Sequence, residues 1–418
     1  GYSSKNMASN HFIANRSLSN IQENDNNIPL VKVADLEEVK GNSVISSVYG
    51  LMPRESIYRE GLGCVLITKE YDKNQKLLQP KRTRFQNDRP FPYGNSGKKD
   101  TIFENVDYDI LEQAITNAFS DYETKKTRTV LVAYKNEIIA ENYIDGFTSE
   151  TSVLGWSMTK SLLATFYGML EHEGKITMDY RPFGDDMRMK NTKIGISLDH
   201  LLRMQSGLAW EEDYTKISDV TKMLFLDSNM TEAQATKKSI AQPTEVWNYS
   251  SGTSNLLSGI LRDQFPTHQE YLNYPYTNLI DKMGMHSMLL ETDMDGNFVG
   301  SSYGWANTRD WAKFGLLYLN KGMWDGERIF SENWVNYVTK PTLHSEGVYG
   351  AHFWLNAGGK FPDVPRDMYS ANGYQGQYVF IIPSKDLVVV RTGLAEDPEF
   401  DVNVFLKEIC AAIKEDQK

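Results

Sequence analysis

The sequence predicts an α+β fold, an antiparallel sheet flanked by helices with a mainly helical lobe inserted. Two observations carry this. β-rich runs joined by hairpin turns occur at 129–134 and 138–143, and again near the end at 378–382 and 387–391, whereas helix-period apolar stripes fill much of the stretch between. Hairpins so far apart in sequence most simply pair in one antiparallel sheet, with the helices covering its faces.

Taken in order, residues 1–100 read as an extension packed on the main body. They are irregular and turn-rich, with short strand-like runs at 43–48 and 64–68 and a basic, Pro-containing stretch over 76–99. Residues 101–177 and 299–418 make up the sheet domain. Its first hairpin turns at Lys135-Asn136-Glu137. The helix after it starts at Ser157, carries Leu162, Leu163, Phe166, Met169 and Leu170 on one stripe, and stops at Gly174. Residues 178–298 are the helical lobe. Beyond it, Thr308 is expected to cap a helix bearing Trp311, Phe314, Leu317 and Tyr318, Ser331 to start a shorter one, and Val404, Phe405 and Ile409 to mark a closing helix.

Composition excludes several partners. In 418 residues, 40% hydrophobic and 24% charged, the net charge is −11, which argues against nucleic acid and against anionic lipid, since both call for a basic surface. No run of about 18 apolar residues offers a transmembrane segment. The two cysteines, Cys64 and Cys410, fit no metal spacing and read as buried thiols, with one long-range disulfide as the alternative. The chain opens on Gly1 without Met, so a processed or recombinant start is expected; export to the periplasm or cell envelope is one reading of the location and the cytoplasm the other.

The chemistry centres on Ser157-Met158-Thr159-Lys160. On a first helical turn, residues i and i+3 share a face, so an unprotonated Lys160 can take the proton of Ser157 as it attacks an acyl carbon. Ser96-Gly97-Lys98-Lys99 has the same spacing but no apolar period behind it, and reads as a solvated loop. A second acid/base group is needed for the leaving group. Tyr249-Ser250-Ser251 supplies one, in a loop before the stripe Leu256, Leu257, Ile260 and Leu261. A free phenol near pKa 10 is a poor base at neutral pH, but a neighbouring Lys160 cation would favour its phenolate. The third element, Gly373-Tyr374-Gln375-Gly376-Gln377, lets a strand edge approach a ligand; read alone, it is a tight turn.

In this order the elements resemble the serine β-lactamase and penicillin-binding protein superfamily, which carries Ser-x-x-Lys, Tyr/Ser-x-Asn and Lys-Thr-Gly. Gly155-Trp156-Ser157, Ser206-Gly207-Leu208, Trp247-Asn248-Tyr249-Ser250-Ser251-Gly252 and the run Arg309 to Gly315 look like the class C-related branch with 6-aminohexanoate-dimer hydrolases and penicillin-recognising esterases. The resemblance covers about 100 to 415 and implies a β-lactamase/transpeptidase-like fold. It implies Ser157 as acylated nucleophile, Lys160 as proton acceptor, Tyr249 as proton shuttle, and the backbone N–H groups of Ser157 and Gln377 as the oxyanion hole. Ser251 stands where many relatives have Asn, in support of Lys160 or substrate. Tyr374-Gln375-Gly376 replaces Lys-Thr-Gly and removes a cation that holds substrate carboxylates, which speaks against efficient β-lactam turnover. Trp156, Trp210, Tyr214, Trp305, Tyr349, Trp354 and Tyr374 could form an aromatic wall, or belong to the core, as most aromatics do in a chain that is 12% aromatic.

Other chemistries lack anchors. No His-Glu-x-x-His is present among seven histidines, and Glu171-His172-Glu173 reads as a solvated face. Ser157 lacks the second Gly of a nucleophile elbow, and no dinucleotide or Walker loop is found. The pairs Asp185-Asp186 and Glu211-Glu212 read as surface. No cofactor or metal is implied, and the partner expected is a small-molecule ester or amide. Two function classes fit: a serine hydrolase working through an acyl-enzyme, and a non-catalytic penicillin-binding-protein-like sensor of peptide or cell-wall fragments, with intact Ser157, Lys160 and Tyr249 favouring the hydrolase.

Overall fold

The computed structural model describes residues 1–69, 71–85, 88–183 and 195–414, so the Asp185-Asp186 pair lies outside the described residues. Where the sequence suggests an irregular extension with strand-like runs at 43–48 and 64–68, the structure has helices α1 (Tyr2–Phe12) and α2 (Leu18–Glu23) and a four-stranded antiparallel sheet of β1 (Asp35–Lys40), β2 (Ser43–Val48), β3 (Leu51–Arg59) and β4 (Gly63–Leu66), in which β2 and β4 are the expected runs. α1 escapes notice because it carries Ser, Asn and Lys on most faces. Its Lys5, Ser9 and Asn10 are nonetheless buried, each satisfied by polar partners rather than by apolar packing.

The main body begins with α3 (Tyr108–Phe119), capped by the Asp107 side chain, and the short α4 (Tyr122–Lys125). The expected hairpin follows as β5 (Thr127–Tyr134) and β6 (Glu137–Tyr143), and then β7 (Val153–Leu154) leads into α5 (Met158–His172). Residues 195–298 contribute α6 (Leu198–Leu202), α7 (Asp219–Leu226), α8 (Ser251–Arg262), α9 (His268–Pro275) and β8 (Leu289–Leu290). After β9 (Gly304–Ala306) comes α10 (Thr308–Leu319), whose cap is Asn307 and not Thr308: the Asn307 side chain accepts the N–H of Asp310. The hairpin β10 (Met323–Trp324) and β11 (Glu327–Arg328), α11 (Glu332–Thr339), β12 (Trp354–Leu355), β13 (Tyr369–Gly373), β14 (Gln377–Ile382), β15 (Leu387–Gly393) and α12 (Val402–Ala412) complete the chain.

The central sheet has six antiparallel strands in the order β12-β13-β14-β15-β5-β6, so the two sequence-distant hairpins do meet, with Val389 paired to Val132. Side chains alternate across a strand, and here both faces are covered. Val130, Val132, Phe380, Ile382, Leu387 and Val389 point to one face with Leu111, Leu406 and Ile409 of α3 and α12; Leu131, Ala133, Val379, Ile381, Val388 and Val390 point to the other, with Trp311 and Phe314 of α10 and Leu162 of α5. Two covered faces explain why these strands read as unbroken apolar runs. At about 1.5–3 kcal/mol per buried Val, Leu, Ile or Phe side chain, this double core dominates stability. Gly315 lets α10 sit close to the sheet, since a Cβ there would lie 2.7 Å from Val388 and 2.8 Å from Val379.

A smaller sheet, β7-β9-β8, matters for position. Val153 pairs with Ala306 and Leu154 with Trp305, and the N–H of Gly155 donates to the Gly304 carbonyl at 2.8 Å, which fixes the chain just before α5. Among the described residues no helix is long and apolar enough to cross a membrane. Cys64 and Cys410 are both buried and free.

Candidate active site

The first turn of α5 is unusual for a helix that opens on serine. A serine at an N-cap ordinarily accepts a backbone N–H of the first turn, yet Ser157 makes no such bond, and its hydroxyl is left for other partners. Lys160, one turn on, places Nζ 2.9 Å from Ser157 Oγ, 2.9 Å from Ser251 Oγ and 3.0 Å from the Ser301 carbonyl. Ser157 is partly exposed, whereas Lys160 is 2% exposed beneath it. Burial without a directly touching carboxylate disfavours the ammonium, so the Lys160 pKa is lowered to about 8, the Glu212 carboxylate opposing the fall.

Tyr249 precedes α8, whose cap is Ser250 through a bond from the Thr253 N–H. Its ring lies over Lys160 Nζ, 4.9 Å from the centroid, and packs against Trp354 at 5.2 Å and Tyr349 at 5.8 Å. The hydroxyl, the amine and the phenol, drawn from two separate stretches, thus share one place. The phenolate expectation is overturned: desolvation first, then the Glu212 carboxylate, raise the Tyr249 pKa well above 10, and the Ser157 hydroxyl, its hydrogen-bonding neighbour, offsets only part of this. At neutral pH Tyr249 is a phenol, a proton donor.

Glu212 corrects another expectation. It is not a surface carboxylate: it accepts from Ser251 Oγ at 2.5 Å, Ser251 N–H at 2.8 Å and Trp210 Nε1 at 2.6 Å. Lys160, Ser251 and Glu212 therefore form one hydrogen-bonded line. No periodicity marks Glu212 in the sequence, and its acidic neighbours Glu211 and Asp213 disguise it.

The run before β14 is built for close approach. A Cβ on Gly373 would lie 2.1 Å from the Gly155 carbonyl oxygen, so β13 ends against the turn that carries Ser157. Gly376, at φ +79°, could not be replaced, because a Cβ would meet the Ala395 carbonyl at 2.1 Å. Buried Arg391 holds this turn by donating to the Gly376 and Ala395 carbonyls at 2.8 and 2.7 Å. The Gln377 side chain faces inward, donating to the Gly393 carbonyl at 2.7 Å and accepting its N–H at 3.2 Å.

The aromatic residues divide. Trp156, Tyr214 and Tyr374 form one cluster, with Tyr214 stacked on Tyr374 at 4.7 Å and Trp156 edge-on to Tyr374 at 5.5 Å. Tyr349 and Trp354 join Tyr249 in a second. Trp210 supports Glu212 and packs under Gly252. Trp305 does not belong to the wall: it is fully buried, its indole N–H given to Glu291 at 2.9 Å, because the β7-β9-β8 sheet turns it into the core. His352 is no triad member either; Ser254 and the Leu202 carbonyl hold it, and burial lowers its pKa to about 3. Among the described residues no group of three or more His, Cys, Asp or Glu side chains is arranged to hold a metal ion.

With a Ser-x-x-Lys helix packed against a six-stranded antiparallel sheet, the chain is similar to several known hydrolases and penicillin-binding proteins. A 6-aminohexanoate-dimer hydrolase of Paenarthrobacter ureafaciens is 25% identical over 325 residues, covering 69% of this chain and 75% of the relative. A penicillin-binding protein homologue of Caulobacter crescentus superposes with TM-score 0.59 at 12% identity, over 75% of this chain and 99% of its own. A D-stereospecific amidohydrolase of a Streptomyces species superposes with TM-score 0.54 at 14% identity, over 73% and 99% respectively. The model of the β-lactamase family matches residues 118–402, and the chain belongs to that family, within the serine β-lactamase and penicillin-binding protein superfamily of hydrolases.

Proposed function

We propose that this protein cleaves an ester or amide bond of a small molecule through an acyl-enzyme on Ser157. The observation that carries the reading is the 2.9 Å contact between Ser157 Oγ and a buried Lys160 whose pKa is lowered to about 8, which brings a fraction of neutral amine within reach near neutral pH. Lys160 takes the Ser157 proton as Oγ attacks the carbonyl carbon. The oxyanion is held by the N–H groups of Ser157 and Gln377. The Tyr249 phenol protonates the departing alcohol or amine and is reprotonated from Lys160. In the second half, neutral Lys160 takes the proton of the attacking water while Tyr249 stays a phenol, and Lys160 returns that proton to Ser157 Oγ as the acid departs. General acid/base assistance of this kind contributes about 10²- to 10⁴-fold. Relatives named as an amidohydrolase and as a carboxylesterase are in keeping with either bond.

Intact-mass analysis after fluorophosphonate or p-nitrophenyl acetate tests this. A single adduct on Ser157, or steady p-nitrophenol release, is the expected result; an unmodified chain points instead to a ligand-binding sensor.

A further inference from the structure

The N-terminal segment lies outside the matched family region, yet α1 reaches the candidate active site. Its residues divide into two stripes at helical spacing. Lys5 and Ser9 face the body: Lys5 Nζ donates to Glu291 at 2.7 Å and lies 3.9 Å from the centre of the Tyr303 ring, and Ser9 Oγ donates to Glu291 at 2.9 Å. Tyr2, Asn6 and Asn10, each four residues apart, face the turn before Ser157. Asn6 and Asn10 share a cavity of about 20 Å³ with Trp156, Gln375 and Gln377. Tyr2 stacks on Trp156, with ring centres 6.2 Å apart and planes at 25°, and packs on Phe225 at 5.1 Å.

Trp156 is the residue that needs such support. Its φ of +47° is left-handed, an outlier for so bulky a side chain, and it persists only where the surroundings fix it. The residue after it supplies both the nucleophile and one N–H of the proposed oxyanion hole. Four rings hold the indole, those of Tyr2, Tyr214, Tyr303 and Tyr374, and Tyr2 alone among them comes from the N-terminal segment.

We infer that Tyr2 is a positioning residue for the acylation step: its ring fixes Trp156, and through it the turn that presents Ser157, so that the N-terminal segment is part of the catalytic apparatus. This rests on the acyl-enzyme reading above.

The test compares the fluorophosphonate labelling rate of Ser157, and kcat and KM for p-nitrophenyl acetate, in wild type, Tyr2→Ala, Tyr2→Leu and Tyr2→Phe. Folding is checked by circular dichroism. Tyr2→Ala is expected to slow labelling and kcat by about tenfold or more through misplacement of the nucleophile, with little change in KM, and Tyr2→Phe to restore both. If Tyr2→Ala does not fold, Tyr2→Leu, which keeps apolar volume without the stack, carries the comparison. Wild-type rates in a folded Tyr2→Ala or Tyr2→Leu overturn the inference, as does a Tyr2→Phe as slow as Tyr2→Ala. A wild-type chain that takes no label at all overturns the catalytic reading instead.

Discussion

Lys160 Nζ stands 2.9 Å from Ser157 Oγ, with 2% of the lysine exposed to solvent. This relationship makes the amine a hydrogen-bonding hub, and in the proposed mechanism it is also the base. Replacing Lys160 by Met keeps its apolar stem and removes the base, so kcat/KM on p-nitrophenyl acetate should fall by at least about 100-fold, and Ser157→Ala should abolish acyl-enzyme formation in intact-mass spectra.

The pH profile follows from the same amine. Only neutral Lys160 accepts a proton, so kcat/KM should rise with pH and level off above the lowered pKa of about 8. The Glu212 carboxylate favours the ammonium and raises that pKa; Glu212→Gln should therefore move the rising limb to lower pH. A limb that moves to higher pH in this variant contradicts the assignment.

Burial keeps Tyr249 a phenol in the folded protein, and the proposed mechanism has it donate to the leaving group. Tyr249→Phe should cost little for p-nitrophenyl esters, whose leaving group needs no proton, and about 100-fold or more for alkyl amides, which do. The ratio of the two kcat/KM values is the readout. Equal losses on both substrates would argue against a donor role.

Tyr374-Gln375-Gly376 presents no cation, and Glu396 accepts the Gln375 N–H at 2.9 Å, adding negative charge beside the turn. A substrate with a free carboxylate next to the scissile bond should show kcat/KM about 10- to 100-fold below its methyl ester, the worth of one missing charge-assisted hydrogen bond. Nitrocefin should be a poor substrate for the same reason.

Lys5 and Glu291 form a buried ion pair at 2.7 Å, with the carboxylate fully enclosed. Lys5→Met leaves that charge without its cation and should cost about 3–5 kcal/mol in urea unfolding, whereas Lys5→Met combined with Glu291→Met should recover much of the loss.

The central fold was legible because its strands are buried on both faces and its helices carry long apolar stripes. The proximity of Ser157, Lys160 and Tyr249 could be anticipated because they sit in local motifs that resemble a known order. Three features were not. Glu212 hides in an acidic run, and only tertiary packing brings it under Ser251. Trp305 looks like any other aromatic until β9 pairing turns it inward. The N-terminal helix has a polar sequence, and its burial depends on Glu291, some 280 residues away.

Glu291 also sets a practical boundary for this gene. Of the four groups that donate to its carboxylate among the described residues, Lys5, Ser9 and the Cys64 N–H arrive from the first 64 residues, and Trp305 lies within the stretch 118–402. An expression fragment trimmed to that stretch would keep every residue of the Ser-Lys-Tyr set yet strand an anion on a freshly bared apolar flank. Such a fragment should collect in inclusion bodies.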